Sequence, residues 1–422
     1  MSDDVPLLDD LMPWAVSGLR LGRTWIAAPD PAALRTRWSV LAGAEGAERE
    51  RLFRPTRLRS AAAGAAALPG QRSASTAGFA DAPGPCPEPV RVLYTPFDEQ
   101  WLLPDQRLID ASRPQLWRVL DGDQLFTVET PAAGTGPGSH ARSGAPATGS
   151  ARPAPGPGLL VTRHLPAGRL GGIRPLHRRP GGAEPNLTPG LLPLLADRYG
   201  GPVAPQDVLC WILAAGRPGP RGHEVPLTAD PERWRAGLDL GRRLLAVQVR
   251  GVAGGEPPRL PGGRRPYVRS AIRAWPDGLD WDPETETLSL GSGTVSPVPR
   301  TAWEYEMPGA PAASGGAGAG TRVLRAWFDA RCAHRDPGAE GLDALGPAEW
   351  PQAWTSELLA LVTTLALLAD LAPEREAFTP GPLLSRAGLT AAGVLPAPDW
   401  SRRPASVLDH REEGPGGQFA LL

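Results

Sequence analysis

The spacing of apolar positions changes along the chain, and each change predicts an element. SGLRLGRTWIAAPD, from Ser17, reads as a short strand, after which Asp30-Pro31 supplies an N-cap and a first-turn proline for a helix through Trp38. A second helix is expected around Ala47 to Phe53. VRVLYTPFDEQWLL alternates apolar and β-branched residues and predicts a strand pair turning near Pro96 to Glu99. Ser112 stands where it would cap a short helix in RPQLWRVL, and DQLFTVE and LLVTRHL read as strands. TPGLLPLLADRYG, APQDVLCWILAAG and DPERWRAGLDLGRRLLAVQV combine start signals with helical apolar spacing and make a helical middle. A hairpin signal follows in WDPETETLSLGSGTVSPV, then WEYEMPG and a helix in TRVLRAWFDARCA. The last long element is an amphipathic helix from about Trp350 to Leu371, with Leu358, Leu361, Val362, Leu365, Leu368 and Leu371 near one face. Strands and helices come in blocks, so the expected class is α+β, with a helical middle and a long C-terminal helix interrupted by Gly/Pro-rich loops.

Composition turns to Ala, Gly, Ser and Pro from Ser60 to Pro89, which predicts an irregular linker. The stretch 131–158 is poorer still in apolar residues and is expected to be a disordered insertion, since it buries too little surface to offset its ordering entropy. The organisation read from these shifts is an N-terminal segment at 1–59, the linker at 60–89, and an α+β domain at 90–422 that carries the insertion. With 51 Gly and 51 Pro, the core is smaller than 422 residues suggest, although 41% hydrophobic residues and 14 Trp suffice to build one. Core packing accounts for most of those tryptophans.

The sequence contains no lysine, so all 44 basic residues are arginine. A phosphate-binding GxxxxGK[ST] loop is therefore excluded, and a nuclease that relies on a lysine beside its metal ligands is not expected. The glycine run before Thr321 does not fit GxGxxG and reads as a flexible loop, and Ser17 lacks the first glycine of a nucleophile elbow. Cys86, Cys210 and Cys332 form no CxxC, and Cys332 near His334 reads as a buried thiol beside a surface histidine. His177 and His223 read as solvated loop residues. No catalytic residue, metal site or cofactor is expected. The start of the sequence has no basic, apolar leader pattern, and the most apolar stretch, Leu358 to Ala372, looks too short to span a bilayer, so a cytoplasmic protein without a membrane partner is expected.

A formal net charge of −1 leaves no global field for a polyanion, so any nucleic-acid surface must be a local patch. Two arginine clusters qualify. Arg169, Arg174, Arg178 and Arg179 lie in RLGGIRPLHRRPGG, and Arg264, Arg265, Arg269 and Arg273 lie in RRPYVRSAIRAW, where Tyr267 and Trp275 could add stacking. Phosphate contact is one reading of each cluster; a solvated, salt-bridged face is the other.

The motif order adds a resemblance. MPWAVSGLRLGRTWIAAPD, YTPFDEQWL, EPNLTPGLLPLLADRYG, VPLTADPERWRAGLDLGRRLL, WEYEM, VLRAWF and WPQAWTSELLALV resemble, in order, the C-terminal specificity region of type ISP restriction-modification enzymes. Residues 1–59 are then similar to that family's join to the methyltransferase. The resemblance implies a bacterial DNA target-recognition module for double-stranded DNA, without nuclease, ATPase or methyltransferase motifs of its own and served by a separate methyltransferase or nuclease subunit. The insertion at 131–158 and the aromatic-poor segment GRPGPRGHEVPL depart from the family pattern. Two alternatives stay open: a degenerate methyltransferase-associated enzyme completed by a partner, and a repurposed protein-interaction module.

Overall fold

The computed structural model describes residues 4–71, 76–130, 158–168, 170–250, 258–307 and 321–405. The stretch 131–157, Arg169 and the glycine run at 314–320 lie outside them. The fold is α+β, as the block pattern predicts.

Eight short strands precede the helical middle: β1 (Val16–Ser17), β2 (Ala27–Ala28), β3 (Val90–Thr95), β4 (Asp98–Leu102), β5 (Phe126–Glu129), β6 (Leu159–Thr162), β7 (Leu165–Pro166) and β8 (Gly172–Pro175). They form two four-stranded sheets, ordered β1-β8-β5-β6 and β2-β4-β3-β7. The first is antiparallel throughout; the second has one parallel pair, β3 with β7. The expected N-terminal strand is thus two separate two-residue strands, each edging a sheet whose other members lie beyond residue 89. Alternation along β4 buries Asp98, Gln100 and Leu102, so one strand turns its polar residues inward. That inversion is explained by an arginine described below.

Helices α1 (Leu8–Leu11), α2 (Pro31–Gly43), α3 (Gly46–Phe53) and α4 (Pro114–Val119) flank the sheets. Asp30 caps α2, its carboxylate accepting from the Ala33 N–H at 2.9 Å. Ser112 does not cap α4 as expected. Arg113, in the left-handed region at φ 52°, occupies the cap position, and the Ser112 carbonyl accepts from Trp117 Nε1 instead. Phe79, from the otherwise irregular 60–89 segment, is fully buried and meets Trp38 edge-on at 5.0 Å. Arg107 holds this segment: its guanidinium pairs with Asp105 and donates to the carbonyls of Ala77, Ala82 and Pro83.

The helical middle consists of α5 (Leu191–Tyr199), α6 (Pro205–Ala215) and α7 (Pro231–Gln248). Tyr199, Trp234 and Trp211 stack in series at 4.5 and 5.1 Å; Gly237 makes room for the Trp211 ring, and Gly241 lets α7 approach the α6 backbone at Cys210. Helix ends leave carbonyls without partners. At the end of α6 Arg375 donates to Leu213 and Gly216, and Arg217 to Ala214 and Gly216. Between α6 and α7 lie the small pair β9 (Arg217–Gly219) with β10 (Gly222–Glu224) and β11 (Leu227–Thr228), which pairs with a distant strand at Leu383–Leu384; after α7 comes a third four-stranded sheet built from β12 (Tyr267–Ser270), β13 (Leu279–Asp282), β14 (Thr287–Leu290) and β15 (Gly293–Ser296). Helix α8 (Arg300–Trp303) and helix α9 (Val323–Cys332) lead to α10 (Gln352–Ala377).

α10 is longer than the sequence reading allowed, because it continues to Ala377 through Pro373. By length and composition it could cross a membrane, but Trp354, Leu358, Leu361, Val362, Leu365 and Leu368 are buried within the protein, where it packs on α7 and α8. It serves here as a core helix.

Candidate nucleic-acid interface

The third sheet has strand order β12-β15-β14-β13, so β12 and β13 are its two edges. Its inner face carries Leu279, Leu288, Leu290 and Val295, all buried. Its outer face is polar, and its two edge strands carry opposite charge, with Glu286 on the β13–β14 turn reaching Arg264. Arginines cluster at and around β12, whereas Asp280 and Asp282 stand on β13 and Glu284 on the turn after it. Three strand spacings, roughly 14 Å, separate the two edges.

Local sequence builds the basic edge. Leu260 is buried and accepts from Gly263 N–H, closing a turn in which Gly262 and Gly263 adopt φ 80° and 79°, a region that favours glycine. The chain then places Arg264 and Arg265 at the surface before Pro266 returns to the interior. Arg264 is 3.5 Å from Glu286 with its side chain 62% exposed, a pairing that solvent weakens. Along β12 every residue is exposed, including Tyr267 and Val268, and Arg269 lies 5.9 Å from the Tyr267 ring centre. Arg273 is exposed beyond the strand. Trp275 does not join this surface as expected. It packs edge-on against Trp350, Trp354 and His334 and donates to the Ala348 carbonyl.

The other cluster is mostly interior. Arg174 lies on β8, between β1 and β5, and is 4% exposed; it donates to the Met12 carbonyl and pairs with Asp9 and Glu129. Arg178 is 6% exposed, pairs with Glu184, and donates to the carbonyls of Trp400 and Arg403. Both hold distant segments together. Arg179 shares Glu184 at 3.0 Å and is partly exposed.

A family model described as the Type ISP C-terminal specificity domain matches residues 10–361. The chain belongs to that family. No curated protein matches it. Among solved structures, the specificity domain is similar to the cryoEM structure of a DrdV-DNA complex, at 14% identity and TM-score 0.52 over 87% of this chain and 36% of that one. It is also similar to a nuclease-deletion mutant of the Type ISP restriction-modification enzyme LlaGI in complex with a DNA substrate mimic, at 12% identity and TM-score 0.46 over 86% and 27%. The ATP-dependent Type ISP restriction-modification enzyme LlaBIII bound to DNA gives 12% and 0.47 over 87% and 23%. The likeness to DrdV is one of fold, and the chain spans about a third of its length.

Elsewhere the specificity domain uses ionisable groups as struts. Arg331 is wholly buried over Trp327, between Asp98 and Glu357; Arg91 joins Glu357 to Glu99, which also faces His164 and Arg250. This is why β4 turns Asp98 inward. Burial alone would raise the Glu99 carboxyl, but Arg250, His164 and Arg91 together bring it down to about 2. A group whose folded pKa is depressed contributes stability above its unfolded pKa and loses it as pH falls towards the folded one. Wild type should therefore lose its stability advantage over Glu99→Gln between about pH 4.5 and pH 2, which urea midpoints measured across that window check; a constant gap would disprove the coupling.

The other sequence candidates are not poised for chemistry. His223, expected to be solvated, is buried where the β9–β10 hairpin folds over Gly216, and burial with Arg375 nearby depresses it to about 3. Burial raises the Cys332 thiol to about 11 and the Cys210 thiol to about 12, the reverse of an activated nucleophile. His334 is half-buried, its Nδ1 3.1 Å from the Arg331 carbonyl oxygen. It borders a cleft of about 420 Å³ with Asp30, Tyr94, Asp343 and Trp354, residues too dispersed in sequence for any local motif to assemble.

Proposed function

We propose that this specificity domain recognises a duplex DNA target for a restriction-modification system through the arginine edge around β12, with nuclease and methyltransferase chemistry supplied from outside these 422 residues. The observation that carries the reading is the family match over residues 10–361, and the DNA-bound state of DrdV agrees with it. Among the described members of the two sequence clusters, Arg264, Arg265, Arg269 and Arg273 are the exposed ones, grouped on one edge. Guanidinium groups there hold phosphates and present forks to base edges. Arg179 is a peripheral contact at most, and Arg174 and Arg178 act structurally. Three free cysteines and a DNA target suit a reducing cytoplasm.

Fluorescence anisotropy with random-sequence duplex at low and physiological salt tests this reading. Tight binding that weakens with salt is expected. Arg264→Ala with Arg265→Ala should weaken it on all sequences and reduce the slope of log K against log salt by about two. Loss of affinity without a change in slope would remove these arginines from the phosphate contacts. No binding by the wild type at low salt would turn the reading towards the protein-interaction alternative.

A further inference from the structure

Resting on the DNA reading, we infer that the third sheet meets the duplex by its β12 edge alone and that Arg269 reads a guanine there, while Arg264 and Arg265 hold phosphates. Three observations lead to this division.

The first is a β-bulge. Tyr267 pairs with Ser296, Val268 with Val295, and Ser270 with Thr294, so Arg269 is an extra residue with no partner on β15. Bulges break alternation and re-aim side chains. Here the shift carries Ser270 to the face of Thr294, which is also the face of Ser296 and Tyr267, while Val268 lies opposite Val295 on the inner face. Arg269 lies over the Tyr267 ring and therefore joins Tyr267 and Ser270 on the outer face. An aromatic ring, a guanidinium fork and a hydroxyl thus stand in a row on an exposed edge.

The second is pairing. Among the described residues no carboxylate forms an ion pair with Arg269, whereas Arg264 already faces Glu286. The Tyr267 ring lies against the Arg269 guanidinium, and both residues are exposed. Planar bidentate recognition of guanine O6 and N7 in the major groove is the contact such a fork makes best, and β-ribbons fit that groove. Arg264 and Arg265, carried on a turn outside the strand, are placed to hold phosphate rather than to enter the groove.

The third is the opposite edge. Asp280 and Asp282 on β13 repel phosphate, so laying the whole outer face on DNA is unfavourable. Docking by β12 keeps those carboxylates about three strands away from the backbone.

The test is selection of bound sequences from a randomised duplex library by the full chain, compared among wild type, Arg269→Ala, Arg269→Lys and the double variant Arg264→Ala with Arg265→Ala. Arg269→Ala should lose preference for guanine at one position by roughly ten-fold. Arg269→Lys keeps the charge and loses the fork, so it should lose the same preference. The double variant should keep the wild-type preference at lower affinity. An Arg269→Ala variant that selects the wild-type sequence would overturn the inference while leaving DNA recognition standing; a wild type that binds no duplex would overturn both.

Discussion

Arg331→Met is expected to lower the stability of the fold by about 4 kcal/mol, read as a fall in the urea midpoint at constant m-value. The guanidinium is fully buried, donates to Asp98 at 2.6 Å, to Glu357 at 2.8 Å and to the Trp327 carbonyl at 3.1 Å, and lies 3.8 Å over the Trp327 ring. Methionine fills similar space but leaves the Asp98 carboxylate buried with, among the described residues, only Gln100 donating to it. Stranding a buried charge is the large term, and it separates this site from the exposed arginines, whose pairs contribute little. Adding Asp98→Asn to Arg331→Met should recover part of the loss, because it removes the stranded charge. A single variant within about 1 kcal/mol of wild type would show that β4 turns Asp98 inward for another reason.

Gly241→Ala should cost about 3 kcal/mol. A Cβ at that position of α7 would overlap the Cys210 carbonyl and lie 2.8 Å from its Cα. These are backbone atoms of α6, so no side-chain rotation relieves the clash and the helices must move apart, loosening the Tyr199–Trp234–Trp211 stack. Gly43→Ala provides the contrast. It lies at the end of α2 with nothing within 4 Å of its would-be Cβ, and there alanine should stabilise by up to about 1 kcal/mol. Thermal melts of the two variants should shift in opposite directions; a Gly241→Ala melt at the wild-type temperature would mean that α6 and α7 do not approach this closely.

What was legible in the sequence is what local chemistry decides. Asp30 before Pro31 and Asp230 before Pro231 announce α2 and α7 and cap both. The alternation after Val90 announces β3 and β4, and the WDPETETLSLG pattern places β13 and β14. The arginines were harder. Arg174 and Arg264 sit in equally Gly/Pro-rich sequence, yet one is enclosed by Asp9 and Glu129 from distant segments and the other by solvent. No local signal distinguishes them, because the carboxylates that enclose Arg174 are about 165 and 45 residues away. The bulge at Arg269 was invisible for a similar reason, since it exists only relative to β15. Trp275 and His223 were misplaced because their burial depends on α10 and on the β9–β10 hairpin folding back.

The anchorage of the irregular segment has a consequence for how this domain can diverge. Arg107 grips the carbonyls of Ala77, Ala82 and Pro83, and every residue type carries a carbonyl. Positions 77, 82 and 83 are therefore free to drift through many side chains without loosening the grip, with Gly78 and Phe79 the fixed points, the first because a Cβ there would strike the Ala62 backbone and the second because it fills the core. Length is not free: deleting one residue between 77 and 83 shifts the carbonyls off a rigid fork that cannot follow them. Such a segment can be rewritten almost letter by letter, so long as the number of letters is kept.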